Sequence, residues 1–141
     1  MPELNSKNYI HNFRGDRILQ DGLALDPLTG YSRKMIPFFA QQKKAKLILL
    51  TKSTNVENLL DLDHQGHTIV SWSLNPTEIS TAFESNLPLP GERIEAMRRC
   101  ADAGYPIRAV IMPIIPIEGW RDIYTRFLAR LLPFFKRLND V

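Results

Sequence analysis

The sequence predicts an α/β fold in which helices cover a parallel sheet. The strand candidates are continuous apolar runs, which is typical of strands that are covered on both faces. These runs alternate with helical segments, in the order strand, helix, strand, helix, strand, helices, strand, helix. The 141 residues are therefore expected to form a single domain, 1–141, with about four successive βα units arranged as an open sheet or as an arc of a barrel.

The first half of the chain contains two strand candidates and the helices that follow them. A short strand is predicted at Asn8 to Phe13, and helical spacing begins at Leu28. Pro37 lies inside that helical pattern, so the helix is expected to be kinked or to start late. The apolar run Leu47 to Thr51 predicts the second strand, and good N-cap residues after it predict a short helix around Val56 to Leu60.

A buried strand is predicted in the stretch Thr68 to Pro76, where Ile69, Val70, Trp72 and Leu74 supply β-branched and apolar bulk. A helix should follow it as far as Phe83. Asn75 is expected to cap that helix, with Pro76 in its first position. The end of this strand is therefore a strand-to-helix turn, which is a common place for a binding site in parallel α/β folds.

The last part of the chain contains two helices that flank a final strand. A helix is predicted at Glu92 to Ala103, because acidic residues come early and Gly104 can end it. The apolar run Ile107 to Ile111 predicts the strand. A last helix, opened by Glu118-Gly119-Trp120 and running to about Leu138, has an apolar stripe beside several arginines. We interpret it as cover for the sheet in preference to a membrane-surface or partner-binding helix.

Composition limits the classes of protein to which the chain can belong. The net charge of +3 permits contact with nucleic acid without requiring it. The single cysteine, Cys100, excludes an internal disulfide and any multi-thiolate metal site that this chain could build alone. The N-terminus lacks the apolar segment of a signal peptide, and no run approaches the ~18 apolar residues of a membrane span. We therefore expect a cytoplasmic protein without a membrane partner.

Polar residues follow the predicted strands, and the loops after parallel strands share one edge of the sheet. Asp16, Lys52, Ser73 and Asn75 are expected at this edge. A lysine just beyond a buried strand can hold a carboxylate or a phosphate, and Ser73 shares one face of its strand with Ser71. The alternatives are a solvated loop lysine and serines that bond to the neighbouring backbone.

Other residues with reactive side chains are assigned structural roles. His64 and His67 precede a strand, at the opposite edge, and lack a third metal ligand, so we interpret them as turn residues. Cys100 is interpreted as a packing residue in a helix. The sequence contains no glycine-rich phosphate loop and no nucleophile elbow. Composition and spacing thus indicate a parallel α/β domain with a polar site at its strand ends.

Ordered segments along most of the chain carry a resemblance to a known family. They are Asp26 to Gly30, Phe38-Phe39, Leu50 to Val56, Gly66 to Pro76, Glu92 to Ala96, Ala103 to Pro106 and Pro113-Ile114. In their order and spacing, these segments resemble the spore photoproduct lyase-like family of radical S-adenosylmethionine (radical SAM) proteins.

The resemblance implies a partial (β/α)6 barrel that holds a 4Fe–4S iron-sulfur cluster and S-adenosylmethionine. It also implies the family reaction, a radical repair of UV-induced thymine dimers in DNA. By position, Lys52 and Ser73 match family residues that contact S-adenosylmethionine, Lys52 as a carboxylate partner and Ser73 as a hydrogen-bonding hydroxyl. Asn75 would be a rim residue near this site, and Asp16 falls close to where such barrels bind the cofactor's amino group.

The chain departs from the family pattern at two places. The Cys-x3-Cys-x2-Cys cluster motif is absent, and Cys100 cannot replace three thiolates. Ile18 stands where the hydrogen-donor cysteine of the repair enzyme is expected. We therefore expect a C-terminal portion of the radical SAM domain, roughly the second to fifth βα units, that is inactive alone.

The incomplete barrel also has consequences for its partners. An open edge at the first strand is expected to favour self-association or pairing with a complementary fragment, and DNA is the partner that the resemblance implies. Two alternatives stay open. One is a non-enzymatic half-barrel that completes a site with another polypeptide, and the other is an unrelated α/β module that binds a small molecule or nucleic acid.

Overall fold

The computed structural model describes residues 9–11 and 21–139 of the chain. Its sheet has four strands, and the described strands are Tyr9–His11 (β1), Lys46–Thr51 (β2), Thr68–Leu74 (β3) and Ile107–Ile111 (β4). Every neighbouring pair is parallel, and the spatial order β1-β2-β3-β4 follows the order in the sequence. The predicted α/β class with a parallel sheet is therefore confirmed.

Helices make the crossovers that parallel neighbours require. The helices are Asp26–Thr29 (α1), Tyr31–Ala40 (α2), Thr77–Phe83 (α3), Pro90–Asp102 (α4) and Trp120–Asn139 (α5). The short helix predicted after β2 is one turn of 3₁₀-helix at Glu57–Leu59. Three of the four predicted βα units thus match closely, and the region around α1 and α2 differs.

The helix predicted from Leu28 is divided at Gly30, whose φ of +58° is left-handed and ends α1. Helix α2 starts at the next residue and continues through Pro37. The buried Asp26 carboxylate joins the two helices, because it accepts hydrogen bonds from the Ser32 amide at 2.8 Å and from its hydroxyl at 2.6 Å. An aspartate on α1 therefore satisfies a backbone donor in the first turn of α2.

The main core lies between one face of the sheet and helices α2, α4 and α5. Alternate residues of β3 point into it, while Ser71 and Ser73 lie on the opposite face of the same strand. The fully buried members of this core include Ile36, Leu49, Val70, Trp72, Leu74, Met97 and Cys100. Strand β3 is buried along its whole length, which confirms the prediction of a buried strand.

Helix α5 covers this core through its apolar stripe. Leu131 is buried in the core, and Phe127 and Phe134 pack against it. This packing confirms the interpretation of α5 as a covering helix. Within residues 21–139, no helix combines the length and the apolar character that crossing a bilayer requires.

The predicted helix cap at Asn75 is wrong. Helix α3 begins at Thr77, Pro76 occupies the N-cap position, and no side chain caps the helix. The Asn75 side chain instead accepts a hydrogen bond from Tyr124 of α5. The Asn75 side chain therefore forms a tertiary contact with α5 and does not cap α3.

Candidate functional site

Lys52 directly follows β2, at the carboxyl edge of the sheet, and it is held by a carboxylate. Its Nζ donates to Glu84 Oε1 at 2.8 Å. The lysine side chain is 32% exposed and the Glu84 side chain is 6% exposed. The alternative of a freely solvated loop lysine is therefore wrong, because the ammonium has a nearly buried partner.

Glu84 is the centre of a small charged cluster. Its Oε2 accepts hydrogen bonds from Arg93 Nη2 at 2.6 Å and from Ser80 Oγ at 2.8 Å. Burial raises the pKa of this carboxyl, but the hydrogen bonds from Lys52, Arg93 and Ser80 outweigh burial and lower the pKa to about 2. Glu84 is therefore ionised at neutral pH.

Arg93 connects this cluster to the end of β3. Its side chain is completely buried, and its guanidinium donates through Nη1 to the Ser73 carbonyl at 2.9 Å and through Nε to the Pro88 carbonyl at 2.8 Å. With the Glu84 carboxylate as its third acceptor, the buried charge is both paired and hydrogen-bonded. Lys52 and Ser73 are thus joined through Glu84 and Arg93.

Ser73 lies at the same edge, on the face of β3 opposite the main core. Its Oγ donates to the Met112 carbonyl at 3.2 Å, so the serine bonds to neighbouring backbone as the alternative interpretation expected. A hydroxyl that donates its single proton keeps oxygen lone pairs for a further donor. Ser73 can therefore still accept a hydrogen bond.

The loop after β2 is held in place by Asp21. Its carboxylate accepts from Thr51 Oγ1 and from the Lys52 amide, both at 2.6 Å, and from the Leu23 amide at 3.1 Å. Since these bonds hold the Lys52 backbone amide, we expect the lysine to contact a ligand through its side chain. Asp21 thus has a supporting role that the sequence did not reveal.

Asn75 is the residue of this edge whose hydrogen bonds are incomplete. It is 1% exposed, and its Oδ1 accepts from the Tyr124 hydroxyl at 2.9 Å. Among the residues that the structure describes, Asn75 Nδ2 has no hydrogen-bond partner. Because an unpaired buried amide is costly, this nitrogen is the feature of the site that points most directly to a ligand or an ordered water.

The structure brings three of the four predicted site residues to one edge of the sheet. Lys52 follows β2, and Ser73 and Asn75 lie at the end of the neighbouring strand β3. Asp16 lies outside the described residues.

Besides Asp21, sequence reasoning missed three residues that hold this site together, namely Glu84, Arg93 and Tyr124. One signal for Arg93 was available. It shares the buried face of α4 with Met97 and Cys100, at helical spacing. An arginine on an apolar helix face indicates a buried counter-ion, although it does not say which acid supplies the charge.

The histidine at position 64 has a structural role, as predicted. His64 Nδ1 accepts from the Gly66 amide at 3.0 Å and its Nε2 contacts the Ala103 carbonyl at 3.1 Å, while the ring stacks on Tyr105 with centroids 3.9 Å apart. These contacts fix the tautomer, because a nitrogen that accepts leaves the other to donate. His64 is thus a turn histidine at the amino-terminal edge of the sheet.

The residues present do not fit an iron-sulfur cluster. Cys100, the one cysteine of the chain, is fully buried in the helical core, and burial raises the pKa of its thiol to about 12. Within the described parts of the chain, no three His, Cys, Asp or Glu side chains are grouped to hold a metal ion. A cluster that needs at least three thiolates has no ligand set here.

Comparisons with known proteins agree on one family. A sequence profile described as spore photoproduct lyase matches residues 9–139. The chain is 34% identical to spore photoproduct lyase of Bacillus subtilis (strain 168) over 111 residues, which are 79% of this chain and 32% of that protein. Spore photoproduct lyase of Geobacillus sp. (strain Y412MC61) is 32% identical over 111 residues, or 79% of this chain and 33% of that protein.

Solved structures give the same result. A structure of spore photoproduct lyase complexed with dinucleoside spore photoproduct has a TM-score of 0.76 at 32% identity and covers 79% of this chain and 33% of that one. The same values hold for a double mutant of spore photoproduct lyase with bound AdoMet, which is S-adenosylmethionine, and dinucleoside spore photoproduct. This chain spans about a third of the length of these relatives. On the evidence of the matched profile, the relatives and the shared fold, the chain belongs to the spore photoproduct lyase family.

Proposed function

We propose that this chain binds S-adenosylmethionine at the carboxyl edge of its sheet and that it does not repair DNA on its own. The first part is supported by the related structure with bound AdoMet and by the incompletely bonded Asn75 at this edge. The second part rests on Cys100, since one buried cysteine cannot supply the thiolates of a 4Fe–4S cluster. We take the protein to be cytoplasmic, where DNA and S-adenosylmethionine are both available.

Each predicted site residue has a role in this proposal that suits its chemistry. Lys52 pairs with the carboxylate of the ligand, Ser73 Oγ accepts a hydrogen bond from an N–H or O–H group of the ligand, and Asn75 Nδ2 donates one to a ligand acceptor. Asp16 would hold the ligand's amino group. When bound, S-adenosylmethionine supplies the cleavable carbon–sulfur bond on which the family's chemistry depends.

The unused donors at the site suit an anionic group. Lys52 and Arg93 carry two positive charges, and Glu84 and the nearby Asp21 carry two negative charges, so the formal charges of these four side chains cancel. The attraction for an anionic group therefore comes from the remaining donors of Lys52. An ammonium has three donors, so Lys52 can keep its bond to Glu84 and still bind a carboxylate.

The test is a calorimetric titration of S-adenosylmethionine into the chain and its Lys52→Ala variant. A charge-assisted hydrogen bond contributes about 1.5–3 kcal/mol, so the variant should bind about 10- to 150-fold more weakly. Lys43→Ala is the matched control, because Lys43 is exposed and precedes β2 at the opposite edge, and it should not change the affinity. An unaltered chain that fails to bind, or equal affinity in the Lys52 variant, would contradict the proposal.

A second candidate function is that of a half-barrel that completes its site with a partner. The observation in its favour is that β1 and β4 are the outer strands of the described sheet, and outer strands are where further strands add. Sedimentation should then show self-association or a complex with a complementary fragment that carries the cysteine triad. A monomer that stays monomeric in the presence of such a fragment would exclude this candidate.

A titration with DNA distinguishes both candidate functions from that of a nucleic-acid-binding module. If the chain binds S-adenosylmethionine and Lys52→Ala weakens that binding, the proposed S-adenosylmethionine site is favoured. If it binds only DNA, the site residues have been assigned the wrong ligand.

A further inference from the structure

We infer that Tyr124 is a positioning residue that turns the Asn75 amide so that its Nδ2 is the free donor at the site. Tyr124 belongs to α5 and lies 49 residues from Asn75 in the sequence. Its hydroxyl is bonded to the Ile115 amide and to Asn75 Oδ1, so we assign its effect to Asn75 and not to a direct contact with the ligand. The identity of the ligand rests on the proposed function, whereas the orientation of the amide does not.

The hydrogen-bond directions follow from the chemistry of the donors. The Ile115 amide can only donate, and it donates to the Tyr124 oxygen at 3.0 Å. The phenol has one proton, and the nearest acceptor for it is Asn75 Oδ1 at 2.9 Å, while the Pro113 carbonyl is at 3.5 Å. Since only the oxygen of the amide can accept this proton, the contact distinguishes Oδ1 from Nδ2.

The orientation determines what Asn75 can bind. With Oδ1 occupied, the group that remains is an N–H donor, and it lacks a partner among the described residues. Both Asn75 and Tyr124 are buried, so the amide cannot turn to bulk water without breaking the tyrosine bond. The ligand atom at this position is therefore a hydrogen-bond acceptor, such as a carboxylate oxygen or a ring nitrogen of a nucleoside.

A double-mutant cycle tests whether Tyr124 acts through Asn75. We expect Tyr124→Phe and Asn75→Ala each to weaken S-adenosylmethionine binding by about three- to tenfold, the size of one neutral hydrogen bond. In the Asn75→Ala background, Tyr124→Phe should have no further effect. Equal loss of affinity on removing the hydroxyl in both backgrounds would overturn the inference, because Tyr124 would then act independently of the amide.

Tyr105→Phe is the matched control for a general structural effect. The Tyr105 hydroxyl is also buried and donates to the Leu59 carbonyl at 2.7 Å, but it lies at the amino-terminal edge of the sheet. Its removal deletes the same kind of bond and should leave the affinity unchanged. If both tyrosine variants weaken binding equally, Tyr124 supports the fold and does not position the amide.

A ligand-free measurement separates this inference from the proposed function. In nuclear magnetic resonance spectra of the full chain, the Asn75 side-chain amide should be rigid, and Tyr124→Phe should make it mobile while the control variant does not. If S-adenosylmethionine fails to bind, the proposed function falls and this measurement still decides the orientation. An amide that is equally rigid in the Tyr124 variant would overturn the inference.

Discussion

The charged cluster at the carboxyl edge of the sheet predicts a large and pH-dependent loss of stability in Glu84→Gln. The substitution keeps the shape of the side chain and removes its charge, so Lys52 and the fully buried Arg93 lose their ionic partner. Breaking a buried ion pair from one side costs about 3–5 kcal/mol, because the remaining charge is uncompensated.

The lowered pKa of Glu84 gives the size of this stability loss by a second route. A fall from its ordinary value of 4.5 to about 2 corresponds to about 3 kcal/mol of folding free energy, which agrees with the mutational range. Because the folded pKa is lowered, this stabilisation is complete above pH 4.5 and is lost as the pH falls towards 2. Less than about half of it should remain at pH 3.

Urea denaturation at pH 7 and at pH 3 measures this effect as the difference in unfolding free energy between the unaltered chain and Glu84→Gln. We expect about 3 kcal/mol at pH 7 and less than half of that at pH 3. Glu95→Gln is the control, because Glu95 pairs with Arg98 on the exposed face of α4. This substitution should change the unfolding free energy very little. A pH-independent difference, or a difference below about 1 kcal/mol at pH 7, would refute the reasoning.

Three further predictions follow from the same structure. Anaerobic reconstitution with iron and sulfide should yield no stoichiometric visible-absorbing cluster, and a stable four-iron chromophore would contradict this. Because burial raises its pKa to about 12, Cys100 should react with a thiol reagent at pH 8 far more slowly in the folded chain than in the denatured chain, and equal rates would contradict the burial. Asp26→Ala should cost about 2–3 kcal/mol in thermal or chemical unfolding, because it leaves the Ser32 donors without their acceptor, whereas the exposed Asp61→Ala should change little.

The accuracy of the sequence predictions depends on how local their causes are. The buried strand predicted in the stretch Thr68 to Pro76 is found at Thr68–Leu74, because the β-branched and apolar residues of this stretch favour a buried strand without help from the rest of the chain. The helix predicted at Glu92 to Ala103 begins two residues early, at Pro90, and ends at Asp102. Here too the signals lie within the helix and at its ends.

The errors come from contacts between distant residues. Asn75 has the side chain of a helix cap, but it bonds to Tyr124, and no rule based on neighbouring residues could foresee a partner from α5. The prediction that Lys52 contacts a ligand stays a prediction, but its pairing with Glu84, 32 residues away, was likewise not visible in the sequence. In both cases the fold supplied a partner from a distant part of the chain.

By itself, the sequence determined the α/β class, the order of the strands and helices, and the edge of the sheet where Lys52, Ser73 and Asn75 lie. It also determined that one cysteine cannot hold an iron-sulfur cluster. Only the tertiary structure decided that Glu84 pairs with both Lys52 and Arg93, and that Tyr124 leaves the Asn75 nitrogen free. The physical reason is that apolar periodicity and turn residues act over a few positions, whereas the pairing of buried charges and amides depends on which elements the sheet brings together.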